Sequence, residues 1–197
     1  MDARIVASMN DGLETEVKIR LPNAAGILEK LRSQSFEVAE PRVFEANTLY
    51  DTADGKVRAA RAILRLRRVG DRCVLTWKGP NVASSYKSRP ERETTVASCD
   101  VMNEILANLG YRPMFRYEKY RTEFRRAEDT RGVVTVDETP IGDFLELEGA
   151  GAWIDATAER LGFSKSDYVL ESYGRLYVTE CERRGMEPTN MVFASHE

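Results

Sequence analysis

Histidine and cysteine are scarce in this sequence, which narrows the chemistry open to it. The only histidine is His196, one residue from the C-terminus, so the sequence argues against catalytic triads, imidazole bases and histidine-ligated zinc. The three cysteines, Cys73, Cys99 and Cys181, are odd in number, widely spaced and never in a CxxC motif. We therefore expect neither a disulfide framework nor a thiolate zinc site, and interpret the cysteines as small buried or half-buried residues. Any catalysis must use carboxylates, amines, guanidinium groups, hydroxyls or a hard metal.

Long apolar runs and linkers are also missing. No stretch approaches the ~18 consecutive apolar residues of a membrane span, and the N-terminal MDARIVASMN lacks the pattern of a secretory signal. We expect a cytoplasmic protein that does not enter a membrane. Hydrophobic residues make up 42% of the chain, enough for a core. The sequence predicts one catalytic domain over 1–187, with C-terminal helices at 152–184 and a flexible tail at 188–197.

The net charge of −3 hides a strong segregation of charge along the chain. Residues 56–92 hold 11 basic and 2 acidic side chains, whereas residues 133–197 hold 5 and 13. Of the 29 cations 22 are arginine, whose planar group suits carboxylates and phosphates. The basic window lacks the signature of an RRM or KH module, so it favours a small anion over nucleic acid as partner.

The hydrophobic pattern is dominated by strands. LETEVKIRL at 13–21 alternates strictly between apolar and charged residues, and Ser98 precedes a segment with helical spacing. The predicted strands are 13–21, 43–50, 62–69, 72–78, 87–96, 113–126, 133–137 and 143–148, and the predicted helices are about 23–34, the segment after Ser98, and 152–184. Many strands with few crossovers predict an α+β fold whose antiparallel sheet curls or closes.

Charged side chains share one face on most of these strands. Alternate residues on a strand lie roughly 6.6 Å apart, so the pairs Glu14/Glu16 and Glu146/Glu148 could share a hydrated Mg²⁺. The basic strands carry Arg65, Arg67, Lys78, Lys119 and Arg121, and one strand mixes signs with Arg89, Glu91 and Glu93. Each face taken alone is typical of a solvated antiparallel strand. Six such faces with segregated signs instead suit a closed barrel that encloses a polyanion and its metal.

The ordered motifs ETEVK, ANTLYDT, LRLRR, LTWKGP, RPERE, EKYRTEF and VDETPIGDFLELEG resemble the CYTH superfamily of triphosphate tunnel metalloenzymes. The superfamily includes class IV adenylate cyclases, thiamine triphosphatases and inorganic triphosphatases, and the resemblance covers about residues 13–177. It implies a closed eight-stranded antiparallel β-barrel, with helices outside, whose lumen binds a triphosphate and one or two Mg²⁺ or Mn²⁺ ions.

Roles for individual residues follow from the resemblance, motif by motif. The implied metal ligands are Glu14, Glu16, Glu146 and Glu148. The implied phosphate-binding residues are Lys18, Arg65, Arg67, Lys78, Arg89, Lys119 and Arg121, among which Lys18, Lys78 and Arg121 are the catalytic candidates. Glu91, Glu93 and Asp137 would line the tunnel further, although Asp137 could equally cap a turn.

The resemblance favours a class IV adenylate cyclase-like enzyme, which converts ATP to cyclic AMP and pyrophosphate. The segment ESYGRLY at 171–177 resembles the cyclase-like branch, or is simply an amphipathic helix on the barrel. Glu45 and Leu49 depart from the cyclase pattern, which keeps open a thiamine or inorganic triphosphatase of the same fold. A non-catalytic module that binds polyphosphate or nucleotide is the alternative of another class. We also consider a homodimer.

Overall fold

The alternating segments form strands, as their period of two dictates. A computed structural model describes residues 12–82 and 85–194. In that part of the chain the strands are β1 Leu13–Leu21, β2 Glu37–Thr52, β3 Ile63–Val69, β4 Arg72–Lys78, β5 Lys87–Val96, β6 Tyr111–Arg126, β7 Asp129–Thr139, β8 Gly142–Gly149 and β9 Tyr168–Val169. The helices are α1 Ala24–Ser33, α2 Lys56–Ala59, α3 Cys99–Asn108, α4 Gly151–Arg160 and α5 Tyr173–Arg184.

Strands β1 to β8 form a closed antiparallel barrel. Their order around the barrel is β5-β4-β3-β2-β6-β7-β8-β1, and β1 pairs again with β5, with Glu16 opposite Lys87. The short β9 adds to β1 opposite Lys18 and Ile19. The predicted fold, a closed eight-stranded barrel with helices outside, is confirmed.

The apolar faces of the strands point outward and are covered by helices. Val17 and Leu147, on β1 and β8, are fully buried against Leu31 of α1 and Ile154 of α4. Burying one such side chain contributes about 1.5–3 kcal/mol. Because side chains alternate along a strand, this outer core directs the charged faces into the interior of the barrel, here called the lumen.

Two predicted helix starts are confirmed by their caps. The Asn23 side chain accepts a hydrogen bond from the backbone NH of Gly26 at 3.0 Å, and Ser98 accepts one from the NH of Val101 at 3.3 Å. Such caps satisfy backbone donors that the first helical turn leaves unpaired.

The predicted run of helices at 152–184 is only partly correct. Helix α4 ends at Arg160 and Gly162 turns the chain in the left-handed region at φ +74°. A short 3-10 helix, Lys165–Asp167, then leads into β9, and α5 begins only at Tyr173. The strand interrupts the helices because its backbone pairs with the free edge of β1.

Part of the segment predicted as a flexible tail, 188–197, lies against the barrel. Met191 is fully buried, its NH donates to the carbonyl of Arg116 at 3.0 Å, and its carbonyl accepts from the NH of Glu118 at 2.9 Å. These bonds place the segment along the edge of β6. Residues 195–197, with His196, and the N-terminal residues 1–11 lie outside the described residues.

The expectation of no disulfide is also wrong. Cys73 at the start of β4 is bonded to Cys99 at the start of α3, with Cα atoms 5.4 Å apart. The pair is 26 residues apart in sequence, and only the packing of α3 on the barrel brings it together. Cys181 is free and buried, as expected. Within the described residues, no helix is long and apolar enough to cross a membrane.

Candidate active site

The charged side chains of the barrel meet in the lumen. Lys78 on β4 reaches Glu14 on β1 at 2.5 Å, and Arg67 on β3 reaches Glu93 on β5 at 3.1 Å. In the sheet order each of these pairs skips one strand, so both contacts form over the lumenal face of the strand between them. The lumen is therefore built from side chains of both signs.

The four predicted metal ligands lie on two adjacent strands. In the register of β1 and β8, Glu16 is opposite Glu148 and Lys18 is opposite Glu146. The buried Lys18 amine lies 2.9 Å from Glu16 and 3.1 Å from Glu146. Lys18 thus compensates two of the four carboxylates and leaves Glu14 and Glu148 at one end of the group.

Glu14 and Glu148 are the poorly compensated carboxylates. Burial, followed by a hydrogen bond with Glu91, raises the pKa of Glu14 to about 7 despite the nearby Lys78. Desolvation by the lumen wall, followed by repulsion from Glu14 and Glu16, raises the pKa of Glu148 to about 7, although this residue remains exposed to solvent at the end of the lumen. Both groups are therefore suited to accept a further cation.

The opposite part of the lumen is built around Asp137. This fully buried carboxylate accepts from Lys119 at 2.8 Å, from Arg121 at 2.6 Å and from the Tyr173 hydroxyl at 2.7 Å. Arg121 also contacts Glu146. Asp137 is thus a lumenal residue that orients two cations, and the alternative of a turn cap is wrong.

Arg65 and Arg89 have weaker or fewer polar partners than Arg121. Arg65 Nη2 lies 3.2 Å from the Thr76 hydroxyl and 3.9 Å from Glu91. Arg89 is opposite Glu14 in the strand register, and its buried Nε and one Nη find no hydrogen-bond partner in the described part of the chain. Unsatisfied buried guanidinium donors are costly, and a phosphate oxygen is a suitable acceptor for them.

The three catalytic candidates carry fixed positive charges. Burial alone would lower the pKa of Lys18 and Lys78, but Glu146 beside Lys18 and Glu14 beside Lys78 outweigh it and raise both values. In the same way Asp137 and Glu146 raise the pKa of Arg121 well above its ordinary range. These residues can neutralise charge but are poorly suited to remove a proton.

Two lumenal groups lie outside the set predicted from the sequence. Lys87, buried at the start of β5, contacts Glu16, and burial together with repulsion from Lys18 lowers its pKa to about 8. Its place two residues before Arg89 on the same face was the available signal. The other is Glu45, which departs from the cyclase pattern and is buried 3.6 Å from both Arg67 and Lys119.

One end of the lumen is filled by apolar side chains. Phe144, Tyr117 and Tyr173 pack together with Met191 and Ile141 in one buried cluster. The rings of Tyr173 and Phe144 meet edge to face with centroids 5.3 Å apart. Helix α5 therefore supplies part of a floor, while Glu148 and Glu93 mark the end that remains accessible.

The donor set suits a hard divalent cation. Carboxylate oxygens are the ligands that Mg²⁺ and Mn²⁺ prefer, and Mg²⁺ is usually held by one or two carboxylates together with water and substrate phosphates. Within the described residues, no three acidic, cysteine or histidine side chains are arranged as a metal site. The raised pKa values of Glu14 and Glu148 show where added positive charge would be best accommodated.

Comparison with known proteins agrees with this geometry. The family model of the CYTH domain matches residues 12–173. The chain belongs to the CYTH family. The matched region of this CYTH domain extends from the start of the barrel to the first residue of α5.

The individual proteins that resemble this chain have low sequence identity to it. A protein of Methanocaldococcus jannaschii, named "putative adenylate cyclase", is 26% identical over 69% of this chain and 76% of its own. The structure of a Vibrio parahaemolyticus protein with the same description has a TM-score of 0.72 at 21% identity, covering 83% of this chain and 97% of its own. A Hippeastrum protein, described as a "putative adenylyl cyclase" that reveals a dominant triphosphatase activity, has a TM-score of 0.63 at 17% identity, covering 89% and 97%. These structures show the shared fold.

The CYTH barrel brings all the predicted site residues to one lumen. The acidic members are Glu14, Glu16, Glu91, Glu93, Asp137, Glu146 and Glu148, and the basic members are Lys18, Arg65, Arg67, Lys78, Arg89, Lys119 and Arg121. Their individual roles in metal binding, phosphate binding and catalysis stay predictions.

Proposed function

We propose that this CYTH domain is a divalent-metal-dependent enzyme acting on the phosphate chain of a small triphosphate, most simply ATP cyclised to cyclic AMP and pyrophosphate. The observation that carries the proposal is the lumen itself, in which guanidinium and ammonium groups from five strands face a group of glutamates. A triphosphate bears about four negative charges, and charges fixed in a water-poor interior stabilise such a group strongly.

In this proposal the lumenal arginines bind the phosphates and the lysines offset negative charge. Arg65, Arg89 and Arg121 present guanidinium donors that can bind phosphate oxygens and hold the phosphate chain in one orientation. Lys18 and Lys78 stay protonated beside carboxylates and offset charge that gathers on the leaving phosphate.

The metal would be held by the glutamates of β1 and β8. Glu14 and Glu148, with Glu16 and Glu146 beside them, are the residues that would bind Mg²⁺ or Mn²⁺. Such an ion would polarise the phosphoryl oxygens and lower the pKa of an attacking hydroxyl. The residues that the structure describes contain no histidine, so in this proposal the attacking oxygen loses its proton to a carboxylate, to a lysine such as Lys87, or to the substrate.

Hydrolysis of a triphosphate is the second candidate, and Glu45 favours it. A cyclase must hold the nucleoside so that the ribose oxygen faces the α-phosphorus. In this chain the buried Glu45 carboxylate pairs with Arg67 and Lys119 at a position where the cyclase pattern has a neutral side chain. A triphosphatase needs no nucleoside contact, only water placed against the terminal phosphorus.

Product analysis with three substrates tests the assignment. The protein is incubated with Mn²⁺ and, separately, with ATP, thiamine triphosphate and inorganic triphosphate, and cyclic AMP, pyrophosphate and orthophosphate are quantified. Equal amounts of cyclic AMP and pyrophosphate from ATP support the cyclase. Orthophosphate without cyclic AMP assigns the triphosphatase instead. Metal-dependent binding without any product assigns the non-catalytic module and overturns the enzyme.

Two variants make the test specific to the lumen. Glu14→Gln keeps the shape of the side chain and removes a predicted metal ligand, so turnover should fall by at least about a hundredfold. Glu104→Gln makes the same change on the exposed face of α3 and should leave turnover unchanged. Equal activity of both variants would contradict the proposed metal site. Cytoplasmic location and a homodimer remain predictions from the sequence.

A further inference from the structure

A second cavity lies outside the barrel wall, between the β6–β7 turn and α4. Its volume is about 170 Å³. Two of its lining side chains, Phe36 and Trp153, belong to the outer hydrophobic core, which separates this cavity from the lumen. The cavity uses none of the side chains assigned to the candidate active site.

Three arginines converge on this cavity against one carboxylate. The lining includes Arg126 at the end of β6, Arg131 on β7 and Arg160 at the end of α4. The carboxylate, Asp129, accepts from Arg131 at 2.8 and 2.9 Å and from the Trp153 indole NH at 3.1 Å. Asp129 is thus occupied by Arg131, and the other two guanidinium groups carry an excess of positive charge.

Arg126 and Arg160 lack acidic partners. Neither forms an ion pair with any residue in the ranges 12–82 and 85–194. Arg126 lies over the ring of Phe36, 6.0 Å from its centroid, and its Nε is buried without a hydrogen-bond acceptor among those residues. Buried donors without acceptors are rare in folded proteins, and an oxyanion seated in the cavity would satisfy this one.

Size and lining restrict what could bind. Pockets for drug-sized ligands measure about 300–1,000 Å³, so this cavity suits a smaller group. Guanidinium groups pair with phosphate through two parallel hydrogen bonds, and Thr157 is among the residues that line the same space. We propose that this cavity is a second anion site of the protein, which binds a small phosphoryl anion such as inorganic phosphate or pyrophosphate.

Trp153 provides a local reporter for the test. The chain has two tryptophans, and Trp77 lies on the outer face of β4, so Trp77→Phe leaves Trp153 as the only indole. Phosphate or pyrophosphate added to this variant should change the Trp153 fluorescence saturably, while chloride at equal ionic strength should not. The two titrations show which anion binds more tightly. No saturable change with either anion would overturn the proposal.

Three further variants show whether the arginines bind the anion. Arg126→Gln and Arg160→Gln should each weaken binding about tenfold, the loss expected for one charge-assisted hydrogen bond. Arg112→Gln, an exposed arginine at the other end of β6, should leave the affinity unchanged. If all three variants bind with the same affinity, the anion is not held in this cavity.

The lumen must also be excluded as the source of the signal. The titration is therefore repeated with Arg65→Gln and Arg67→Gln added to the Trp77→Phe protein, which weakens anion binding in the lumen. The Trp153 response should persist with the same affinity. Its loss would show that the signal comes from the lumen and would refute a separate site.

Discussion

Replacing Asp137 by asparagine tests how the barrel tolerates a charged interior. Asp137 is fully buried and accepts hydrogen bonds from Lys119, Arg121 and Tyr173 at 2.6–2.8 Å. Asparagine has nearly the same shape but no charge, and its amide NH₂ would face donors. The substitution therefore removes the shared counter-charge of two buried cations without creating a cavity.

The expected cost follows from the partners that remain. Breaking a buried ion pair by removing one member costs about 3–5 kcal/mol, because the other charge stays buried without compensation. Here Lys119 keeps Glu45 at 3.6 Å and Arg121 keeps its contact with Glu146. We therefore expect a loss near the lower limit, about 3 kcal/mol, out of the ~5–15 kcal/mol that stabilise a typical domain.

Urea unfolding followed by circular dichroism measures this loss. Asp100→Asn is the matched control, since Asp100 pairs at 2.5 Å with Arg68 on the exposed surface. Surface pairs contribute about 0–1 kcal/mol, so the control should lose no more than that. If Asp137→Asn also lost less than about 1 kcal/mol, Asp137 would not be compensating the buried cations, and our description of this part of the lumen would be refuted.

Four further outcomes are expected. Burial alone would raise the pKa of Glu45, but Lys119 and other cations lower it to about 2. The ionised Glu45 therefore stabilises the fold above pH 4.5, and this stabilisation is lost as the pH falls toward 2. Glu45→Gln should remove about 3 kcal/mol of this acid-dependent stability in unfolding curves from pH 5 to 2. Ile154→Ala in the outer core should lower the free energy of unfolding by about 2–5 kcal/mol, and a loss below 1 would contradict its full burial. Reducing the Cys73–Cys99 bond should lower the free energy of unfolding by about 3 kcal/mol, because the bond closes a loop between residues 26 apart in sequence. An unfolding midpoint that dithiothreitol leaves unchanged would argue against the bond. Glu148→Gln should raise the Mn²⁺ concentration for half-maximal turnover at least about tenfold in a metal titration, and an unchanged value would remove Glu148 from the metal ligands.

The barrel could be predicted because the sequence pattern that specifies each strand is local. The strict alternation in Leu13–Leu21 and in the later strands gives each strand an apolar and a charged face, and the apolar faces require helices outside. The charged faces then have to meet in the interior. Closure and the residues of the candidate site were therefore accessible from pattern and resemblance together.

The contacts that the sequence did not predict are those that only the closed fold creates. Cys73 and Cys99 are separated by the rest of β4, a loop and all of β5, and no spacing rule places them 5.4 Å apart. Met191 is buried because the chain returns along the edge of β6, and no local sequence pattern indicates this return. Lys87 and Asp137 acquired their environments from other strands, so sequence alone left the first unnoticed and the second ambiguous.

The pairing of charges inside the lumen links the two halves of the proposed site. Lys18 lies between Glu16 and Glu146, and Arg121 joins Glu146 to Asp137, so cations and carboxylates compensate each other. A phosphate chain that draws the Lys18 and Arg121 side chains toward itself would release Glu146 and Glu16 from their partners. Carboxylates released in a water-poor interior attract a divalent cation more strongly. Triphosphate and metal should therefore each increase the affinity of the lumen for the other, as thermodynamic reciprocity requires of two ligands that exchange the same partners.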